Sequence, residues 1–180
     1  NLYIDNLDAE VATNEIKLES DKTEFIDKNY QEVIQSLKDL GFTNITEQPL
    51  YDIVMGFTDE GAVENVMIND SDTYKRGDIV KKDSKVVVSY HLYENDDPTK
   101  VKAPYSSTDA KNKNYTVVEK AFRDAGFTNV KIEKNFEISS DEYESNTVSD
   151  ITINGGSVYT DEAYEPDAEV IITYRVETVS

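Results

Sequence analysis

The four letters "GFTN" stand at 41–44 and again at 126–129. Sliding the chain against itself by the same distance, 85 positions, brings much more into register. Asn29 and Tyr30 fall on Asn114 and Tyr115, Val33 on Val118, and Leu37 on Phe122. Val63, Val66 and Ile68 fall on Val148, Ile151 and Ile153, and Tyr74 falls on Tyr159. One residue is lost near Gly77 or Asp78, so that beyond it the shift is 84. Asp83 then meets Asp167, "VVVSY" from Val86 meets "VIITY" from Val170, and Tyr90 meets Tyr174. Upstream, "IKL" from Ile16 meets "VKA" from Val101. The chain is a tandem duplication of one module of about 75 residues. Whatever one copy folds into, the other must fold into as well.

In the first copy Tyr30, Val33, Ile34, Leu37 and Leu40 recur at helical spacing, which predicts a helix with one apolar face. Asn29 or Asp27 can cap its start, because a short polar side chain accepts hydrogen bonds from orphan backbone N–H groups. Gly41 stands just past the last periodic residue, where a helix ends in a left-handed residue that lacks a Cβ clash. In the second copy Tyr115, Val118, Phe122 and Ala125 make the stripe, and Gly126 with Phe127 repeats the stop. Strands are predicted at 45–54 and 130–138, at 63–68, and most strongly at 85–92 and 169–176, which are dense in Val, Ile and Tyr. "NDSDTYKRGD" and "NGGSVYTDE" between the last two strands of each copy read as turns. The expected fold class is α+β: two small tandem modules, each one helix packed on a three- to four-stranded sheet. The expected organisation is an N-terminal tail or linker at 1–15, module one at 16–92, a linker at 93–100 and module two at 101–180. The linker contains "ENDDPTK", which is polar, carries a proline and has no periodicity.

Acidic residues number 37 against 18 Lys and Arg, for a net charge of −19. Nucleic acids and anionic phospholipids are bound through clustered cations, so neither is an expected partner. The absence of Cys removes disulfides and thiolate metal sites. No apolar run approaches the roughly 20 residues of a membrane helix. A chain that begins at Asn1 rather than Met is expected to be a processed or trimmed piece, with any anchor outside it.

The phrases "KNYQEVIQSLKDLGFTNI" and "KNYTVVEKAFRDAGFTNV" are each followed by a "V..V.IN" strand and then by "D..VVVSY" or "D.EVIITY". In that order they resemble PASTA modules, which occur on penicillin-binding proteins and bacterial Ser/Thr kinases. They are closest to the divergent PASTA-like repeats of Firmicutes surface proteins. The resemblance implies a non-enzymatic binding or spacer module on the extracytoplasmic side, on the cell surface or secreted. It implies cell-wall peptidoglycan or another surface protein as partner, an adhesin-like protein–protein module or an accessory region of a larger membrane-anchored protein being the alternatives, and a monomer. In that family a Pro-containing phrase and a Gly precede the helix. Here the second copy has Pro104 but Asn112 at the glycine position, and the first copy has neither. No ligand contact is therefore carried over from the family.

The residues themselves name no catalytic, cofactor or metal site. The single histidine, His91, ends a predicted strand, and its counterpart in the second copy is Arg175. With 37 acids, no carboxylate pair is informative. Asp70-Ser71-Asp72 opens like a calcium loop, but the sixth position is Lys75 and the twelfth Lys81, where an EF-hand needs Gly and Glu. The tyrosines repeated in register, Tyr30/Tyr115, Tyr74/Tyr159 and Tyr90/Tyr174, read as packing of helix on sheet.

Overall fold

The computed structural model describes residues 14–54, 56–138 and 144–178. Most of the expected tail at 1–15 lies outside the described residues. The chain divides into two compact units, Asn1–Glu94 and Asn95–Ser180.

Unit one contains β1 (Glu15–Lys17), α1 (Tyr30–Asp39), β2 (Ile45–Ile53), β3 (Val63–Ile68), β4 (Ile79–Lys81) and β5 (Val86–Tyr93). The helix starts where the Asn29 side chain accepts a hydrogen bond from the Gln31 N–H, so Asn29 and not Asp27 is the cap. It buries Val33, Ile34 and Leu37. It stops in a Schellman motif: the Gly41 N–H donates to the Lys38 carbonyl and the Phe42 N–H to the Leu37 carbonyl, with Gly41 at φ 105°. The sheet order is β2-β5-β3, with central β5 parallel to β2 and antiparallel to β3. Alternation along β5 turns Val86 and Val88 into the core with the helix residues, and Tyr90 onto Tyr30 of α1. β1 and β4 pair separately as an antiparallel ribbon that brings Ile16 and Leu18 to the same core.

Unit two repeats the plan: β6 (Val101–Lys102), α2 (Ser107–Ala110), α3 (Tyr115–Asp124), β7 (Val130–Ile138), β8 (Val148–Ile153), β9 (Ala163–Tyr164) and β10 (Val170–Thr178). The sheet order is β7-β10-β8, again with a parallel and an antiparallel neighbour, and β6 pairs with β9. Asn114 caps α3 through the Thr116 N–H. The core gathers Val118, Phe122, Phe127, Ile151, Val170 and Ile172.

The α+β plan agrees with the sequence reading, and four details differ from it. β4 and β9 directly follow the two stretches read as turns; at three and two residues they are too short to show alternation. α2 was not foreseen. It occupies the place of the helical turn Lys22–Glu24 in unit one, and Ser106 caps it as Asp21 caps that turn. The connector at 93–100 is not featureless: β5 runs to Tyr93, Glu94–Asp96 forms a helical turn, and the Asp97 carboxylate accepts from the Thr99 N–H and hydroxyl. Asn95 is stitched into unit two, its Oδ1 accepting from the Ala163 N–H at 2.9 Å. Finally, Tyr74 and Tyr159 are not equivalent. Tyr74 packs on its core and donates to the Val66 carbonyl, whereas Tyr159 is exposed and Val158 is buried instead. Among the described residues no helix is long and apolar enough to cross a membrane.

Candidate functional site

The repeated phrase is a joint, and each of its letters has a structural task. Gly41 and Gly126 take φ values of 105° and 103°, which a side chain resists. Phe42 and Phe127 fold back into the cores at 3% and 2% exposure. The Thr43 N–H and hydroxyl both donate to the Lys82 carbonyl, and Thr128 does the same to Pro166. Asn44 Nδ2 donates to the Asp83 carbonyl and Asn129 Nδ2 to Asp167, while the Asn44 and Asn129 carbonyls accept from Val86 and Val170. The phrase fastens the end of the helix to the start of the central strand.

The other repeated polar residues behave alike. Asn69 and Asn154, at φ 51° and 50°, accept from the N–H groups of Lys85 and Glu169 with their side chains. Asp27 and Asn112 are both left-handed, at φ 61° and 63°. Asn112 stands where glycine is common in the resembled modules, so the conformation survives here in a polar residue that tolerates it. Tyr30 stacks on Tyr90 with ring centroids 3.8 Å apart, and Tyr115 on Tyr174 at 4.0 Å. These rings use their faces on each other and hold helix to sheet. Burial, followed by the Glu47 carboxylate that its hydroxyl meets, pushes the Tyr90 phenol up to about 12.

The sheet face opposite each helix carries different residues in the two units. In unit one the cross-strand rows on that face are Thr46-Val87-Met67 and Gln48-Ser89-Asn65. The equivalent rows of unit two are Lys131-Ile171-Thr152 and Glu133-Thr173-Asp150. These two rows are uncharged in one copy and charged in the other.

His91 gains partners that no sequence spacing revealed. Its Nδ1 lies 2.9 Å from Asp52 Oδ1 and its Nε2 3.1 Å from Glu64 Oε2. The arrangement joins an imidazole to two acids. In unit two, Arg175 Nη1 donates to Asn112 Oδ1 at 3.0 Å and to the Val148 carbonyl at 2.9 Å. Asp70 and Asp72, the start of the failed calcium loop, are taken by lysines. Lys85 meets Asp70 at 2.7 Å, and the hydrogen bond from Lys22 holds the Asp72 carboxyl below its usual range. A shallow cleft of ≈ 530 Å³ lies beside the β1–β4 ribbon, lined by Glu15, Asn69, Ile79 and Ser84 among others. Its Asn69 and Ser84 side chains are hydrogen-bonded to each other. Among the described residues no group of three or more His, Asp or Glu is arranged to hold a metal ion.

No family model matches the chain, and no curated protein matches it. Among solved structures it is similar to the entire extracellular region of the Ser/Thr kinase PrkC from Staphylococcus aureus, at 18% identity and a TM-score of 0.40. That match covers 92% of this chain and 48% of the other. It is also similar to the three-PASTA-domain structure of a Ser/Thr kinase from Staphylococcus aureus, at 17% identity and a TM-score of 0.33, covering 91% of this chain and 66% of the other. The chain thus spans about half the length of the first structure and 66% of the second. The second bears the family name that the repeated motifs suggested.

Proposed function

We propose that the chain is a non-enzymatic, extracytoplasmic segment of a bacterial surface protein that spaces and binds, with cell-wall peptidoglycan as its partner. One observation carries the spacing half: duplication in register extends to the scaffold and stops at the open sheet face. The helix cap, the "GFTN" joint, the left-handed Asn and the stacked Tyr pair recur, and each is used inside its own unit. Two cross-strand rows of the opposite face are uncharged in one copy, and the equivalent rows carry Lys131, Glu133 and Asp150 in the other. Two copies that gripped one ligand with the same constellation would present the same face twice. Two copies that set distance need only fold alike. The binding half rests on the family resemblance of the motifs.

Isothermal titration of the chain with muropeptides, run beside co-sedimentation with purified cell walls, tests this reading. Saturable heat with muropeptides supports wall binding. Silence in both assays leaves the spacing half alone. A second reading, an adhesin-like module for a partner protein, is favoured by the same divergence, since two unlike faces suit one irregular protein surface. Capture of a single defined surface protein by the chain, with no wall binding, would put that reading first.

A further inference from the structure

His91 lies at the end of β5, between the two edge strands. Asp52 of β2 places Oδ1 and Oδ2 at 2.9 and 3.0 Å from Nδ1, and Glu64 of β3 places Oε2 at 3.1 Å from Nε2. The turn before β3, which carries the exposed Asp59 and Glu60, engages the backbone of the same residue. The Gly61 N–H donates to the His91 carbonyl and the His91 N–H to the Ala62 carbonyl. The charged groups brought to the imidazole are Asp52 from β2 and Glu64 from β3. An ionised carboxylate only accepts hydrogen bonds, so both ring nitrogens are satisfied only when both carry a proton. In either neutral tautomer one nitrogen turns a lone pair on a carboxylate oxygen.

We propose that His91 is a proton-operated tie across the β2-β5-β3 sheet: the imidazolium joins the ends of both edge strands, and its neutral form lets one of them go as the pH rises. The imidazole is 17% exposed while the Asp52 and Glu64 side chains are 51% and 59% exposed, so the ring is half-enclosed and its acid partners remain screened by water. Burial works against the charge, but the hydrogen bonds to Asp52 and then Glu64 outweigh it and hold the imidazole above its ordinary value. A group whose folded value is raised stabilises the fold fully below its unfolded value and loses that contribution as the pH rises through the folded one. Unit one is therefore tightest on the acid side of the histidine range and loosens above it. Unit two supplies the internal control. At the equivalent position Arg175 stays charged across the whole range, so its sheet end is insensitive to the same change. This inference needs neither the wall partner nor the spacing role.

The chain has one histidine, so its imidazole Hε1 gives a single, unambiguous NMR signal in the intact protein. We expect that signal to titrate with a midpoint above free histidine, and Asp52→Asn and Glu64→Gln each to move the midpoint down. We expect amide protection at the ends of β2, β3 and β5, corrected for intrinsic exchange, to fall severalfold from about pH 5 to pH 9. Protection in β7, β8 and β10 should hold level. His91→Arg, which copies unit two, should abolish the change in unit one. If that variant does not fold, the two carboxylate variants decide through the midpoint. A midpoint at or below free histidine would overturn the proposal. So would carboxylate variants that leave it unmoved, protection that does not change with pH, or an equal change in both units.

Discussion

At Gly126 two penalties coincide. The backbone is left-handed at φ 103°, and a Cβ built there would meet Val101 Cγ1 at 3.0 Å. At Gly41 the same atom first meets the mobile end of Lys82, at 3.6 Å. Gly126→Val should therefore cost more than Gly41→Val. It adds a clash to conformational strain of roughly 1–2 kcal/mol. Asn129→Ala removes only an exposed side-chain bond to the Asp167 carbonyl, worth about 0.5–1.5 kcal/mol. Thermal melts of the three variants check the ranking, and equal melting of Gly126→Val and Asn129→Ala would contradict it. Tyr90 makes a separate claim at the alkaline end. Its phenol is raised from 10.0 to about 12 by burial and by Glu47, so the fold favours the neutral form. The stability this gives is whole below pH 10 and is lost as the pH climbs through about 12. Tyr90→Phe cannot ionise and keeps the ring that stacks on Tyr30. It should unfold at higher pH than the parent chain when tyrosinate absorbance and near-UV dichroism are followed together. An unchanged alkaline midpoint would mean that Tyr90 ionises without opening the core.

At the scale of elements, the helices stand on their caps. Asn29→Ala and Asn114→Ala each strip one acceptor from the first turn and should destabilise their own unit by about 1 kcal/mol, as read from denaturant midpoints. Aspartate at either position should restore most of the loss. These caps were legible because the cap, the apolar stripe and the stopping glycine are local in sequence. Strands such as Val63–Ile68 and Val130–Ile138 were legible for the same reason, since their residue types speak within a few positions. β4 and β9 were not, because strands of three and two residues exist only through distant partners, Glu15–Lys17 and Val101–Lys102. The tyrosines showed their recurrence but not their pairing, which depends on where α1 crosses β5 and α3 crosses β10. His91 was hidden most completely. Its carboxylates lie 39 and 27 positions away, among many acids that look identical in a sequence. Tyr74 and Tyr159 misled in the other direction. Identical letters in register pointed to one role, and the loop of unit two gave the buried place to Val158.

At the scale of the whole molecule, each unit owns its core. Val118, Phe122 and Ile172 cluster with residues of unit two, and Val33, Leu37 and Val88 with residues of unit one. A fragment beginning at Asn95 keeps the bond from Ala163 and should give a dispersed amide spectrum by itself; a collapsed spectrum would show that the units depend on each other. The charge bears on the proposed partner. At −19 the chain is repelled at long range by any anionic wall polymer, and screening shortens that repulsion to a Debye length of about 10 Å at 0.1 M salt. Affinity for such a surface has to come from short-range contacts or from divalent ions shared between carboxylates. Binding to purified walls should then hold level or strengthen as sodium chloride rises from low to moderate concentration. It should rise when calcium or magnesium is added, because hard cations prefer carboxylate oxygens. A basic protein partner behaves oppositely: attraction is electrostatic, and salt weakens it. Co-sedimentation across both salt series separates the two cases. Wall binding that falls steeply with sodium chloride would sink the short-range picture, and a basic protein lost from the chain over the same range would carry the adhesin reading in its place.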